Sequence, residues 1–342
     1  MTPLELLVAA IEGMPAPRVP IFCNLLDQGP RELGMHAKDF YQKGEHVAEA
    51  QLRLLQRYGH DNVWSLHYVG KEVELLGCDN ILFTDDGAPN VAHHVIQNWE
   101  DITKFEVPAD ITEHPAWQSI DDCLSILRRE VGTTHPVCAY VTASTTLPAL
   151  LMGMDKWMEL FLIGPFDLRD ELILKCSDFV QRHITALRAA GANIIVYSSP
   201  FGSPYFINKK MIETLVLPWM QRDLKDGTHD MVYYCGTAPF NSVIDLVFDE
   251  LDIVSFYLSP MADLAEAKNL VTRRQRGLAC GLIDDISMIH WTPEQTRAEV
   301  KRIMDIGKPG GHFLFGTGVM PLAIPEANIQ ALLAAAFEYG SS

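Results

Sequence analysis

Polar and thiol side chains of the kinds that move protons or hold small ligands recur in this chain at the ends of short apolar runs. Cys23, Asn24 and Asp27 follow the first run, His67 and Tyr68 the second, and Thr142 and Ser144 the third. Ser198, Ser199 and Ser203 follow the fourth, Tyr233 and Cys235 end the fifth, and Tyr257 and Ser259 end the sixth. Cys280 and Asp284 close the seventh, and Thr317 closes the eighth. Imidazole, carboxyl and phenol groups can pass a proton to or from a reacting atom, and thiolates bind zinc. Each alone is more often a packing or capping residue. Brought to one end of a common sheet, they would form a site. In that site Tyr233, His67 and Asp284 are the candidates for proton transfer. Asn24, Asp27, Thr142, Ser144, Ser198, Tyr257, Cys280 and Thr317 are the candidates for substrate binding. Strand alternation groups Tyr233 with Cys235 on one face, and Val63 and Ser65 with His67 on another. His93 and His94 are adjacent, so on a strand their side chains diverge and a surface position is expected.

The eight runs that must position these groups cover residues 19–25, 61–67, 136–143, 192–199, 231–236, 252–257, 276–283 and 311–316. Amphipathic helical patterns lie between them, for example over 45–58, 168–190, 239–249, 264–272 and 293–306. Thr292-Pro293-Glu294 is a strong helix start, with Thr as N-cap and Pro at the first helical position. Strands alternating with helices predict a parallel sheet, because parallel neighbours need crossover connections. Eight such units in this length predict an α/β fold, a single (β/α)8 TIM barrel over residues 1–342. A doubly wound nucleotide-binding fold would carry a glycine-rich turn after its first strand, and the chain reads CNLLDQG there. Residues 26–60 are expected to form an N-terminal helical cap and residues 70–100 an inserted β-hairpin. The active site of such a barrel lies at the C-terminal strand ends, which is where the chosen residues fall.

Composition narrows the function. The 342 residues include 44 Asp and Glu against 27 Lys and Arg, a net charge of −17, with 48% apolar and 21% charged residues. The apolar fraction suffices for a packed core, and an acidic chain is a poor receptor for nucleic-acid phosphate. The N-terminus carries Glu5 and Glu12 where a secretion signal would be basic, and no apolar run reaches 18 residues. A soluble, cytoplasmic protein is expected. Seven scattered cysteines without a CxxC pair argue against a disulfide framework.

The C-terminal third carries a longer pattern. It runs YYCGTAPFNSVIDLVFDELDIVSFYLSPMADLAEAK, then GLACGLIDDISMIHWTPEQTRAEVKRIM, then GGHFLFGTGVMPLAIPEANIQALL. Upstream, KEVELLG, Thr142-Ala143-Ser144, Met152-Gly153-Met154-Asp155, Ala190-Gly191-Ala192-Asn193 and the stretch 198–218 follow in matching order. Together these resemble the uroporphyrinogen decarboxylase superfamily, most closely its cobalamin-linked methyltransferase branch. The resemblance covers nearly the whole chain and implies a TIM barrel.

Two departures refine what the resemblance implies. The decarboxylases carry paired arginines after the first strand that bind porphyrin carboxylates. Here CNLLDQGPREL offers only Arg31, so a polyanionic porphyrin is disfavoured. The thiol-methylating members bind zinc through H-x-C and a later cysteine. In this chain the first position is Tyr233, the second is Cys235, and the third falls in Gly316-Thr317-Gly318. Zinc at thiolate sites needs three or four protein ligands, so only a rebuilt site, Cys235 with Cys280, would hold it. Two unliganded pocket cysteines are the favoured reading. Without a thiol-activating metal, the opposite half-reaction fits better. There a methyl group moves from a small O-methyl donor, expected to be methoxy-aromatic, to the cob(I)alamin of a separate corrinoid protein. That reaction needs a general acid at the ether oxygen. The chain lacks the D-x-H-x-x-G corrinoid signature, so the cobalamin would be carried by a partner protein that meets the barrel mouth; a homodimer is a further assembly to test. The alternatives are methylcobamide-dependent transfer to another acceptor, a divergent decarboxylase, and a barrel that binds without catalysis.

Overall fold

The computed structural model describes residues 1–85 and 87–341; Asp86, within the stretch 70–100 expected as an inserted hairpin, and Ser342 lie outside the described residues. The strands are β1 (Ile21–Asn24), β2 (Val63–Trp64), β3 (Ile81–Leu82), β4 (Asn90–Val91), β5 (Val137–Thr142), β6 (Ile194–Ser198), β7 (Met231–Tyr234), β8 (Ser255–Leu258), β9 (Leu278–Ile283) and β10 (Phe313–Val319). Eight of them form one sheet in the order β1-β10-β9-β8-β7-β6-β5-β2, and every pairing is parallel. All eight expected strands are present, and helices connect them around the outside, as in a (β/α)8 barrel. β3 and β4 pair antiparallel as the inserted hairpin, and His93 and His94 beside it are both exposed.

These strands are buried on both faces, so they read as near-continuous apolar runs. One face packs against the outer helices. The other turns into the barrel, where Phe22, Trp64, Cys138, Val196, Val232, Leu278, Cys280, Leu282 and Leu314 fill the interior. Leu7 and Ala10 join that cluster from helix Pro3–Ile11. This helix plugs the N-terminal end of the barrel. Thr2 caps it in a capping box with Glu5, and Pro3 opens it. It is moored by Leu4 N to Thr134 O (3.0 Å), Gly277 N to Ile11 O (3.2 Å) and the His312 Nδ1 contact with Ile11 O (3.1 Å).

The ring is not closed by a ladder between β1 and β2. Side chains join it instead. Asp61 Oδ2 accepts from Ile21 N at 2.7 Å, Asn62 Oδ1 accepts from Cys23 N at 2.9 Å, and Asp61 N donates to Ile21 O at 2.8 Å. Arg18 holds the Asp61 carboxylate with two nitrogens, at 2.5 and 2.6 Å.

The region 26–60 is helical as expected, in helices Gly29–Leu33, Ala37–Tyr41 and Gly44–Tyr58. The last of these is the crossover between β1 and β2 and packs on helix Pro115–Val131 in the outer layer. Thr292 caps helix Pro293–Gly307 through a capping box with Gln295. The helix expected from 239 begins only at Ile244, because Asn241 is engaged with the Asp263 backbone. Among the described residues, no helix is long and apolar enough to cross a membrane.

Candidate active site

Register decides which side chains enter the barrel. In a parallel sheet, paired residues project to the same side. Thr142 pairs with Ser198, Ser198 with Tyr234, Tyr234 with Tyr257, and Tyr257 with Cys280. Tyr257 and Cys280 belong to the interior cluster, so this whole row lines the interior toward the mouth. Tyr140 and Tyr234 border the same cluster. Tyr234 and Tyr257 meet edge to face with ring centroids 6.3 Å apart. His67 stacks on Tyr140 at 4.2 Å with planes 29° apart. The upper interior is therefore walled by three tyrosines and an imidazole, whose flat faces suit an aromatic ligand.

Thr142, Ser198, Tyr257 and Cys280 are brought together in this wall. His67 reaches it as well, since the chain bends after Trp64 and carries the ring over Tyr140. Burial pushes the His67 pKa down to about 4, against the opposing pull of the Glu72 carboxylate. At neutral pH the ring is uncharged and accepts a hydrogen bond as readily as it donates one.

Behind this wall, two buried carboxylates grip the loop that follows β5. Glu72 Oε1 accepts from Thr142 N at 2.9 Å and lies 3.3 Å from His183 Nδ1. Burial alone would raise the Glu72 pKa, but the hydrogen bond and charge of His183, together with His67 and Thr142, hold it below its usual value. Asp223 Oδ2 accepts from Ser144 N at 3.0 Å and from Tyr197 OH at 2.7 Å, and burial raises its pKa. Ser144 thus serves the loop through its backbone, while the hydroxyls of Thr145 and Thr146 have no partner.

The other expected groups fall elsewhere. Tyr233 points out of the barrel. Its register partners Tyr197 and Phe256 lie in the sheet–helix core, its ring sits edge-on to Phe240 at 5.1 Å, and its hydroxyl donates to Gly202 O at 3.3 Å. Cys235 lies in the same core, and its thiol donates to Ser199 O at 3.1 Å. The rebuilt zinc pair is corrected by this phase: Cys235 belongs to the sheet–helix core and Cys280 to the barrel interior. The family's zinc ligand set does not fit these residues. Among the described residues, no group of three or more His, Cys, Asp or Glu is placed to hold a metal. Asp284 closes a turn, with Oδ1 accepting from Ser287 N at 2.9 Å and Oδ2 from Ser287 Oγ at 2.6 Å. Thr317 Oγ1 accepts from Asn24 N at 2.9 Å and donates to Gly318 O at 2.8 Å, tying β10 to β1. Asn24 Oδ1 turns back to Leu26 N at 3.3 Å. Asp27, whose pKa burial raises, is held by Tyr41 OH to one side of the mouth.

Asp285, next to Asp284, is the acidic residue of the mouth. Leu314, Gly316 and Gly318 alternate onto the interior face of β10, and Leu314 lies in the interior cluster. A Cβ built on Gly318 would meet Asp285 Oδ2 at 2.6 Å. The carboxyl thus occupies space that a side chain at 318 would fill, and its charge raises the pKa of Tyr234 on top of the larger effect of burial. Burial first, and then Asp284, raise the Asp285 pKa to about 7. Nothing in residue type or spacing distinguishes this residue from its neighbour. Tyr140 and Tyr234 were hidden because alternation tells which residues share a face but not which face is inside.

The likeness to known proteins spans the chain. The sequence profile of the family described as uroporphyrinogen decarboxylase (URO-D) matches residues 2–339. The methylcobamide:CoM methyltransferase MtaA of Methanosarcina barkeri is 23% identical, over 97% of this chain and 97% of that protein. The methylcobamide:CoM methyltransferase MtbA of Methanosarcina acetivorans is 24% identical, over 99% and 98%. A solved methyltransferase structure from Methanosarcina mazei superposes with a TM-score of 0.83 at 20% identity, covering 99% of both chains. That last likeness carries the fold.

Proposed function

Because the chain belongs to the uroporphyrinogen decarboxylase family, we propose that it is a corrinoid-dependent methyltransferase that takes a methyl group from a small methoxy-aromatic donor. The acceptor is the reduced cobalamin of a separate corrinoid protein. The kind of reaction follows the full-length relatives, which act on methylcobamide. The observation that carries the choice of donor is the wall of Tyr140, Tyr234, Tyr257 and His67, which offers aromatic faces at the C-terminal end of the barrel interior.

Reduced cobalamin supplies a strong nucleophile, so the work left to this chain is positioning and proton supply. The tyrosine faces hold the arene by stacking and edge contacts. Neutral His67 can accept a hydrogen bond from a phenolic hydroxyl on the ring. Glu72 and Asp223 fix the loop after β5 that backs the wall. Exposed apolar side chains at the strand ends, Val69, Tyr205, Met261, Ile286 and Val319, give a partner protein a surface to exclude water from the mouth.

The test is anaerobic. Purified protein, a corrinoid protein reduced to the cob(I) state and a panel of methoxyarenes are mixed, and methylcobalamin is followed by its absorbance. Methylcobalamin from at least one donor is the expected result; none from any donor overturns the reading. Binding of a coproporphyrin-type ligand in the mouth would favour a divergent decarboxylase instead.

A further inference from the structure

An ether oxygen that loses its methyl group keeps both electrons of the C–O bond and becomes a phenoxide. From a ring without electron-withdrawing groups, departure is fast only if a proton arrives with it. The mouth contains few groups able to bring one. His67 is uncharged at neutral pH, so it carries no surplus proton. Burial first, and then the nearby Asp285 charge, make Tyr234 hold its proton more tightly than an ordinary phenol does. Tyr257 is held in the same sense by burial. Asp284 is engaged by Ser287 at both oxygens.

Asp285 differs from all of these in placement. It is half-buried where the turn after β9 folds over the mouth. Its carboxyl sits against Gly318 of β10, in the space that glycine leaves open, and accepts backbone hydrogen bonds from Ile286, from its own amide and from Gly318, which offset part of the effect of burial. Its charge acts on Tyr234 of β7. The strand ends involved are those of β7, β9 and β10.

We propose that Asp285 is the general acid of this site, and that it delivers its carboxyl proton to the ether oxygen while the Tyr234 hydroxyl orients that oxygen. This rests on the methoxyarene reading above. In the step, the methyl–oxygen bond breaks and the methyl carbon bonds to the electron pair of the partner's cob(I)alamin. The oxygen retains the former bonding pair and takes the Asp285 proton. Asp285 is left as a carboxylate and is reprotonated from solvent before the next turnover. A carboxyl whose pKa lies near 7 is suited to that cycle at neutral pH. The groups that face it are Asp284 on its own turn and Tyr234 across the mouth.

The experiment compares leaving groups. Asp285→Asn and wild type are assayed with an unactivated donor, 2-methoxyphenol, and an activated one, 4-nitroanisole, whose phenoxide leaves without help. We expect kcat for 2-methoxyphenol to fall about 100- to 1000-fold and kcat for 4-nitroanisole to fall less than about fivefold, with KM little changed. Gly318→Ala, which crowds the carboxyl but keeps the aspartate, should show the same selective loss to a smaller degree. It keeps the test decisive if Asp285→Asn folds poorly. An equal loss on both donors, or no loss on either, overturns the assignment of Asp285 and leaves the methoxyarene reading standing. No turnover of either donor by wild type overturns the reading itself, and the assignment with it.

Discussion

The two ends of the barrel use their polar groups differently. At the N-terminal end, Arg18 binds Asp61, Asp61 and Asn62 bind the backbone of β1, and helix Pro3–Ile11 seals what remains with Leu7 and Ala10. His60 is left there with both ring nitrogens unpartnered, as are Gln51 Nε2 and Trp64 Nε1, and burial lowers the His60 pKa to about 3, so it stays neutral. At the C-terminal end the hydroxyls of Thr145 and Thr146 and one oxygen of Glu72 have no partner, and a carboxyl sits half-buried with a raised pKa. Unpaired buried polar groups cost stability. Such groups collect where a fold serves chemistry more than its own cohesion, and the hydroxyl and carboxyl groups that the proposed proton transfer needs fall at the C-terminal end.

Substitutions can break that contrast. The largest effect is expected at the seam. Asp61→Ala strands the Arg18 guanidinium and the Ile21 amide and should cost about 3–5 kcal/mol in urea unfolding; a loss below about 1 kcal/mol would mean that the seam is not what holds the closed end. Leu7→Ala opens a cavity under the interior cluster and should cost about 3 kcal/mol, while kcat per folded molecule stays the same. At the mouth the pattern reverses. Tyr234→Phe should leave the melting temperature within a few degrees yet lower kcat/KM about tenfold, roughly 1.4 kcal/mol of transition-state binding. Its neighbour Tyr233→Phe should do the opposite, losing about 1 kcal/mol of stability with the Gly202 hydrogen bond and leaving turnover intact. If Tyr233→Phe abolished turnover, the inside-out assignment of β7 would be wrong.

The smallest effects are read against pH. Asp285 must be protonated to act, so turnover should decline as pH rises through about 7, and Asp285→Asn should lose that limb. Stability follows the same group. Its folded pKa of about 7 lies above the ordinary 3.8, so the folded state binds the extra proton across that interval and stability falls as pH rises through it. His67 acts in the other direction. Its folded pKa of about 4 lies below 6.5, so stability is gained as pH rises from 4 to 6.5. The two contributions oppose each other in wild type. In Asp285→Asn, melting temperature should therefore climb more steeply between pH 4 and 6.5.

The eight strands and the barrel were legible because strands buried on both faces leave apolar runs that stand out between amphipathic helices. The same double burial concealed the site. Met231, Tyr233 and Cys235 are apolar or amphipathic, but so are Val232 and Tyr234, and no polarity difference marks which set faces the interior. The pair Tyr233 and Cys235 shares a face as the alternation required, but it is the outer one. At the ends of β2 and β9 alternation stops altogether. His67 enters the mouth after a bend, and Asp285 enters it after a turn that Asp284 stabilises, so neither position follows from counting residues. Thr142, Ser198, Tyr257 and Cys280 were found because they lie within regular strands or at their last residues.

The seam between β1 and β2 also says how this barrel moves. Its neighbours are joined by ladders, as β5 is to β6 and β9 to β10, whereas here the amides of Ile21 and Cys23 rest on the side chains of Asp61 and Asn62. A rotamer change releases such a bond without moving a strand. In deuterated water these two amides should therefore exchange by small local openings, well ahead of those inside β9 and β10, and the wall should part there before the sheet itself unravels.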